Sequence, residues 1–225
     1  SRQINDSKDV LKEVMLNNLK MIIDNVISYV MKNYKNLPGS QKLKAIKGLP
    51  STGINDYKRE LLETLAVIAG LSIKYARLEV PKASRVQLSE ESFLLGEFEK
   101  LPPGIRRRLK NQMEVLVNTQ KGDLDKVVAL QFSSSQPSTD SAKQIEYDIY
   151  ESTDKWMNGP SVDAGAGVLA ARTVNESRQA FFTDDEVSDE IEAFIFLNDD
   201  PTTPICIDLN GTIFSKNDPG AERYY

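Results

Sequence analysis

Residues 7–35, SKDVLKEVMLNNLKMIIDNVISYVMKNYK, decide the fold class. Leu11, Val14, Met15, Leu19, Ile22, Ile23, Val26, Ile27, Val30, Met31 and Tyr34 recur at spacings of three and four. That period puts them on one face of an α-helix. Ser7 is a candidate cap, and Leu37-Pro38-Gly39 supplies the stop. A helix of about 28 residues is about 42 Å long at 1.5 Å per residue, so it needs another long helix or a partner subunit to cover its stripe.

A basic, loop-like stretch with Gly48, Pro50 and Gly53 follows over 40–53. The next apolar stripe, Leu61, Leu62, Leu65, Ala66, Ile68, Ala69, Ile73 and Ala76, predicts a second helix from about Asp56 to Leu78, ended by Pro81. Antiparallel pairing would bury both stripes. Phe93, Leu94, Leu95 and Phe98 suggest a short helix. Pro102-Pro103-Gly104 opens another to about Asn118, with proline in its favoured first turn. Gly122-Asp123 reads as punctuation before a helical Leu124–Phe132. Residues 133–141, SSSQPSTDS, read as a linker.

Beyond the linker, 141–157 suits a helix, 158–167 (NGPSVDAGAG) a flexible loop, and 168–182 a further helix. Residues 191–197 alternate as a strand does. Ile205–Leu209, Asn210-Gly211 and Thr212–Phe214 form a hairpin signal, because Asn-Gly is the preferred pair of a type I′ turn. The expectation is an α+β chain, mainly helical. Long antiparallel helices fill residues 1–132, and a small antiparallel hairpin or sheet packs on helices within 142–225.

Composition excludes several chemistries. There is no histidine and one cysteine, Cys206, in 225 residues. Histidine-based nucleophile pairs and general bases are absent, and one cysteine alone cannot build a zinc centre. No S-x-x-K stands beside an oxyanion loop, and no phosphate-cradling glycine loop of the G-x-x-x-x-G-K type is present. We therefore expect no catalytic residues, no cofactor and no metal. No apolar run reaches the roughly 18 residues of a membrane span, and SRQINDSKDV does not resemble a signal peptide. No membrane partner is expected.

Charge is unevenly spread. Residues 1–121 carry 21 Lys+Arg and 13 Asp+Glu, a net of +8; residues 122–225 carry 7 and 20, a net of −13; together they give −5. Two surfaces with different partners would produce such a split, as would helix faces that simply differ. Arg106, Arg107, Arg108 and Lys110 cluster at a helix start and are candidates for contact with DNA or an acidic protein surface. A solvated helix face is the plainer explanation. Glu190-Ile191-Glu192 is an E-x-E pair of the kind found in ADP-ribosyltransferases, but it lies in an acidic stretch that reads as solvated. Asp208 does not open a calcium loop, because Ile213 and Pro219 stand where glycine and glutamate are needed.

Three segments of the last third occur in a meaningful order. They are Ala171-Arg172-Thr173, continuing through Asn175 to Arg178; Asn198-Asp199-Asp200-Pro201-Thr202-Thr203-Pro204-Ile205-Cys206; and Leu209-Asn210-Gly211-Thr212-Ile213-Phe214. The set resembles the head-morphogenesis family of tailed bacteriophages, the Mu F type of minor head protein. The likeness covers about residues 165–225. Val174 stands where the family usually has Glu, and Thr202 where it has Arg. The family pattern continues into a Pro-Pro-x-His-x-x-Cys-Arg run, whereas this sequence ends at Tyr224-Tyr225. A family domain over 142–225, truncated at its C-terminus, is the expectation.

The resemblance implies a non-enzymatic minor component of the virion, present in several copies in the head interior near the portal. During assembly it would be in the host cytoplasm. Its partners would be the portal protein, other head proteins and the packaged DNA, and its role would be in head assembly, packaging or ejection. The resemblance implies a structural part for Arg172, Thr173, Asp200, Thr203, Cys206, Asn210 and Gly211. The alternatives are a DNA-binding virion module and an ADP-ribosyltransferase-like phage toxin domain.

Overall fold

The apolar stripe of the opening stretch is buried as its period requires. In a computed structural model, residues 2–38, 41–42, 44, 49–79, 98, 103–134, 142–182, 193–195 and 213–215 are described. They form α1 (Arg2–Tyr34), α2 (Ile54–Glu79), α3 (Pro103–Ser134), α4 (Ala142–Met157) and α5 (Pro160–Phe182). Two three-residue segments, β1 (Ala193–Ile195) and β2 (Ile213–Ser215), pair antiparallel with Phe194 opposite Phe214.

The expected α+β class is corrected: the fold of the described residues is all-α. Six residues of ladder beside five helices of 16 to 33 residues do not make a sheet layer. The described strand partner of Ile213–Ser215 is Ala193–Ile195, and residues 205–209 lie outside the described residues. The Asn210-Gly211 turn itself lies outside the described residues.

Contacts divide the chain into two units. One comprises 1–7, 63–107 and 170–225, the other 8–62 and 108–169. In the second unit α1 buries Leu11, Met15, Leu19, Ile22, Ile23, Val26, Ile27 and Val30. Each such side chain contributes about 1.5–3 kcal/mol through burial. Tyr57 and Leu61 of α2, and Leu109, Met113, Val117, Leu124, Val128 and Phe132 of α3, complete this interior. Lys42 is also fully buried there, with its ammonium 4.6 Å from the centre of the Phe132 ring. A cation over an aromatic face recovers part of the cost of leaving water.

Side-chain pairs fix the helix directions within this unit. Asn18 of α1 donates to Glu60 Oε2 of α2 at 2.6 Å, and Gly53, just before α2, lies against Met21 and Ile22. Residue numbers fall in α2 as they rise in α1, so the two helices are antiparallel, as the sequence suggested. On another side of α1, Asp24 accepts from Tyr150 of α4, Lys12 pairs with Asp163 of α5, and Lys8 pairs with Asp163 and lies beside Gly167. Thus α4 and then α5 run back along α1 in near-constant register.

The other unit buries Leu65, Ala66, Ile68, Ala69, Ile73 and Ala76 from α2. It also buries Phe98, Ile105, and Ala170, Val174 and Phe181 of α5. Here Gln3 Nε2 donates to Ser72 Oγ at 3.0 Å, and the Ser72 hydroxyl donates to the Ile68 carbonyl at 2.7 Å.

Local differences from the sequence reading have physical causes. α1 begins by Arg2, so Ser7 is a buried helical residue and not a cap. α3 passes through Gly122 without a break. The pairs Lys121–Asp125 and Lys126–Asp123 brace that turn, at the i,i+4 and i,i+3 spacings that suit a helix surface. The stretch read as a loop from 158 to 167 is helical from Pro160 onward. Proline suits the first helical position, and Asp163 in the first turn suits the helix dipole. Gly165 is not there for flexibility: a Cβ on it would sit 2.8 Å from Leu116 Cδ1. Of the expected linker, Ser133 and Ser134 belong to α3, and 135–141 lie outside the described residues.

Candidate functional site

The family-like segment on α5 has two sides. Thr173, Val174, Ser177 and Phe181 are buried at helical spacing, while Arg172 and Asn175 are exposed. Neighbouring Arg172 and Thr173 therefore act apart: the threonine belongs to the packed face and the arginine to the solvent face. Val174 is 2% exposed, a position that suits an apolar side chain. Farther along, the Arg178 guanidinium lies 5.5 Å from the Phe182 ring centre, and Phe182 meets Phe181 edge-on. Asp200, Thr203, Cys206, Asn210 and Gly211 lie outside the described residues, as does the Glu190-Ile191-Glu192 pair.

The basic cluster sits on the first two turns of α3. Ile105, Leu109 and Met113 bury the inner stripe, leaving Arg107, Arg108 and Lys110 exposed. Arg106 is half-buried, and Arg106 and Arg108 interact with neighbouring groups. Arg107 and Lys110, three residues apart, share one side of the helix. Cations at a helix N-terminus face the positive end of the dipole, so helix formation does not favour them there.

Two polar constellations were not foreseen. Lys8 Nζ and Lys12 Nζ, one turn apart on α1, contact the two carboxylate oxygens of Asp163 at 2.6 and 2.9 Å. The hydrogen bonds from Lys12 and Lys8 hold the Asp163 carboxyl below its ordinary value. In the core, Tyr57 donates its hydroxyl to Gln120 Oε1 at 2.6 Å, and Gln120 Nε2 points to Met15 Sδ at 3.8 Å. Burial pushes the Tyr57 phenol well above its ordinary value, against the lowering effect of the Gln120 bond. Lys8 and Lys12 at i,i+4 and an acid after Pro160 were legible as local patterns. Nothing local pairs residues some 150 positions apart.

Both constellations tie helices together. Among the described residues, no cluster of three or more His, Cys, Asp or Glu could hold a metal ion. Among the same residues, no helix is long and apolar enough to cross a membrane. No family model, curated protein or solved structure matches the chain.

Proposed function

We propose that the chain is a non-enzymatic minor head protein of a tailed bacteriophage. It docks on the portal and neighbouring head proteins, inside the head, and assists assembly, packaging or ejection of DNA. The observation that carries this reading is the ordered occurrence of the three family-like segments at 171–178, 198–206 and 209–214. The packing of α5 is compatible with it. The departure at Val174 falls on a buried face where an apolar side chain is the better residue, and Arg172 stays exposed for a partner.

Co-expression with the portal protein of the same genome tests the proposal. The two chains are expected to co-elute on size exclusion, and Arg172→Ala is expected to weaken the complex while leaving the helix content unchanged. Separate elution of two folded proteins would remove the portal reading. A DNA-binding role is the second reading, favoured by exposed Arg107 and Lys110 at a helix end that does not itself favour cations.

A further inference from the structure

α4 is held by less than its neighbours in the same unit. It buries Ile145, Ile149 and Thr153, a strip one residue wide at a spacing of four, and one of the three is polar. The Thr153 hydroxyl is turned back onto the Ile149 and Tyr150 carbonyls and ties α4 to nothing else. A bond that reaches another helix comes from Tyr150, whose hydroxyl donates to Asp24 Oδ1 of α1 at 2.9 Å across an exposed edge. The Lys155–Glu151 pair stays within α4.

The ends of α4 are equally suggestive. The sequence before it, SSSQPSTDS at 133–141, contains no large apolar side chain. After it, the helix stops at Asn158-Gly159. Only four residues past Gly159, Asp163 is clamped by Lys8 and Lys12. Segments with few buried apolar groups and solvent-exposed bonds open before the rest of a protein does.

We propose that α4 is a strap that opens from α1 as a local unit, tethered by Tyr150, with the Lys8–Asp163–Lys12 clamp setting the limit of opening at the start of α5. An isolated helix of this length is marginal in water, so the released strap melts and its amides exchange.

Native-state amide exchange on the whole chain tests this. Amides of residues 145–156 are expected to exchange at least about tenfold faster than those around Ile22, Val26 and Leu61, a gap well inside the range of sub-global openings. Tyr150→Phe and Asp24→Ala, which break the tether from either side, are expected to speed exchange in α4 several-fold and leave α1 and α2 unchanged. Asp163→Asn is expected to extend fast exchange into residues 164–168. Protection of α4 equal to that of the α1 core would overturn the proposal. Uniform acceleration across all helices in the tether variants, or α4 rates that do not respond to them, would do the same. An unchanged boundary in Asp163→Asn would overturn the role of the clamp.

Discussion

Two glycines show how differently one residue type can be used. Gly53 has φ +90°, and a Cβ there would meet Met21 Cε at 3.2 Å and Ile22 Cγ1 at 3.3 Å. Gly122, within α3, would meet nothing within 4 Å. Gly53→Ala is therefore expected to destabilise by about 1–2 kcal/mol, because an L-residue must enter left-handed backbone. Gly122→Ala is expected to stabilise by about 0.5–1 kcal/mol by restricting the unfolded chain. Urea midpoints of the two variants against the parent measure both signs. Gly53 closes the stretch that the sequence marks as loop-like. Gly122 was read as punctuation because composition does not reveal the flanking Lys121–Asp125 and Lys126–Asp123 pairs.

At the scale of elements, the periodic stretches were the legible part. α1, α2 and α4 lie within a few residues of where their apolar stripes put them, because a stripe with a 3.6-residue period reports burial directly. The first turns of α5 were not legible. There Gly165 lies close against Leu116, and sequence alone cannot tell close packing from flexibility. The strap also has a pH signature. Burial and the hydrogen bond to Asp24, with the charges of Asp24 and Glu146, push the Tyr150 phenol up to about 12. The folded state thus favours the neutral phenol. Its contribution is complete below the ordinary value of about 10 and is lost as pH rises through about 12. Trp156, the single tryptophan, lies on α4 and reports on it. Its fluorescence is expected to change across this alkaline window before far-UV helicity falls, and Tyr150→Phe is expected to abolish that early step. A single transition, shared by both signals and untouched by the variant, would count against it.

For the whole molecule, helices dominate because long amphipathic stretches outnumber every other signal. The Asn-Gly pair weighed too heavily in the α+β expectation: a turn dipeptide specifies a local bend, not a layer. The proposed site rests on a motif order alone, because Asp200, Thr203, Cys206, Asn210 and Gly211 lie outside the described residues. The uneven charge bears on partners. If Arg107 and Lys110 meet phosphates, the double alanine variant lowers the slope of log affinity against log salt by about 2. Under the docking reading, duplex affinity is weak and that slope is unchanged by the variant, which a salt titration with a DNA duplex measures.

The return path of α4 and α5 along α1 has a further consequence. Between Asp24 and Lys12 the outgoing helix advances twelve residues, while from Tyr150 to Asp163 the returning chain advances thirteen. The interruption at Asn158-Gly159 therefore adds almost no slack. Removing one residue there would turn α5 by about 100° about its own axis and swing its carboxylate out of reach of both lysines. The spacing of that joint works as a phase setting, and it ties the length of a surface turn to the alignment of a helix.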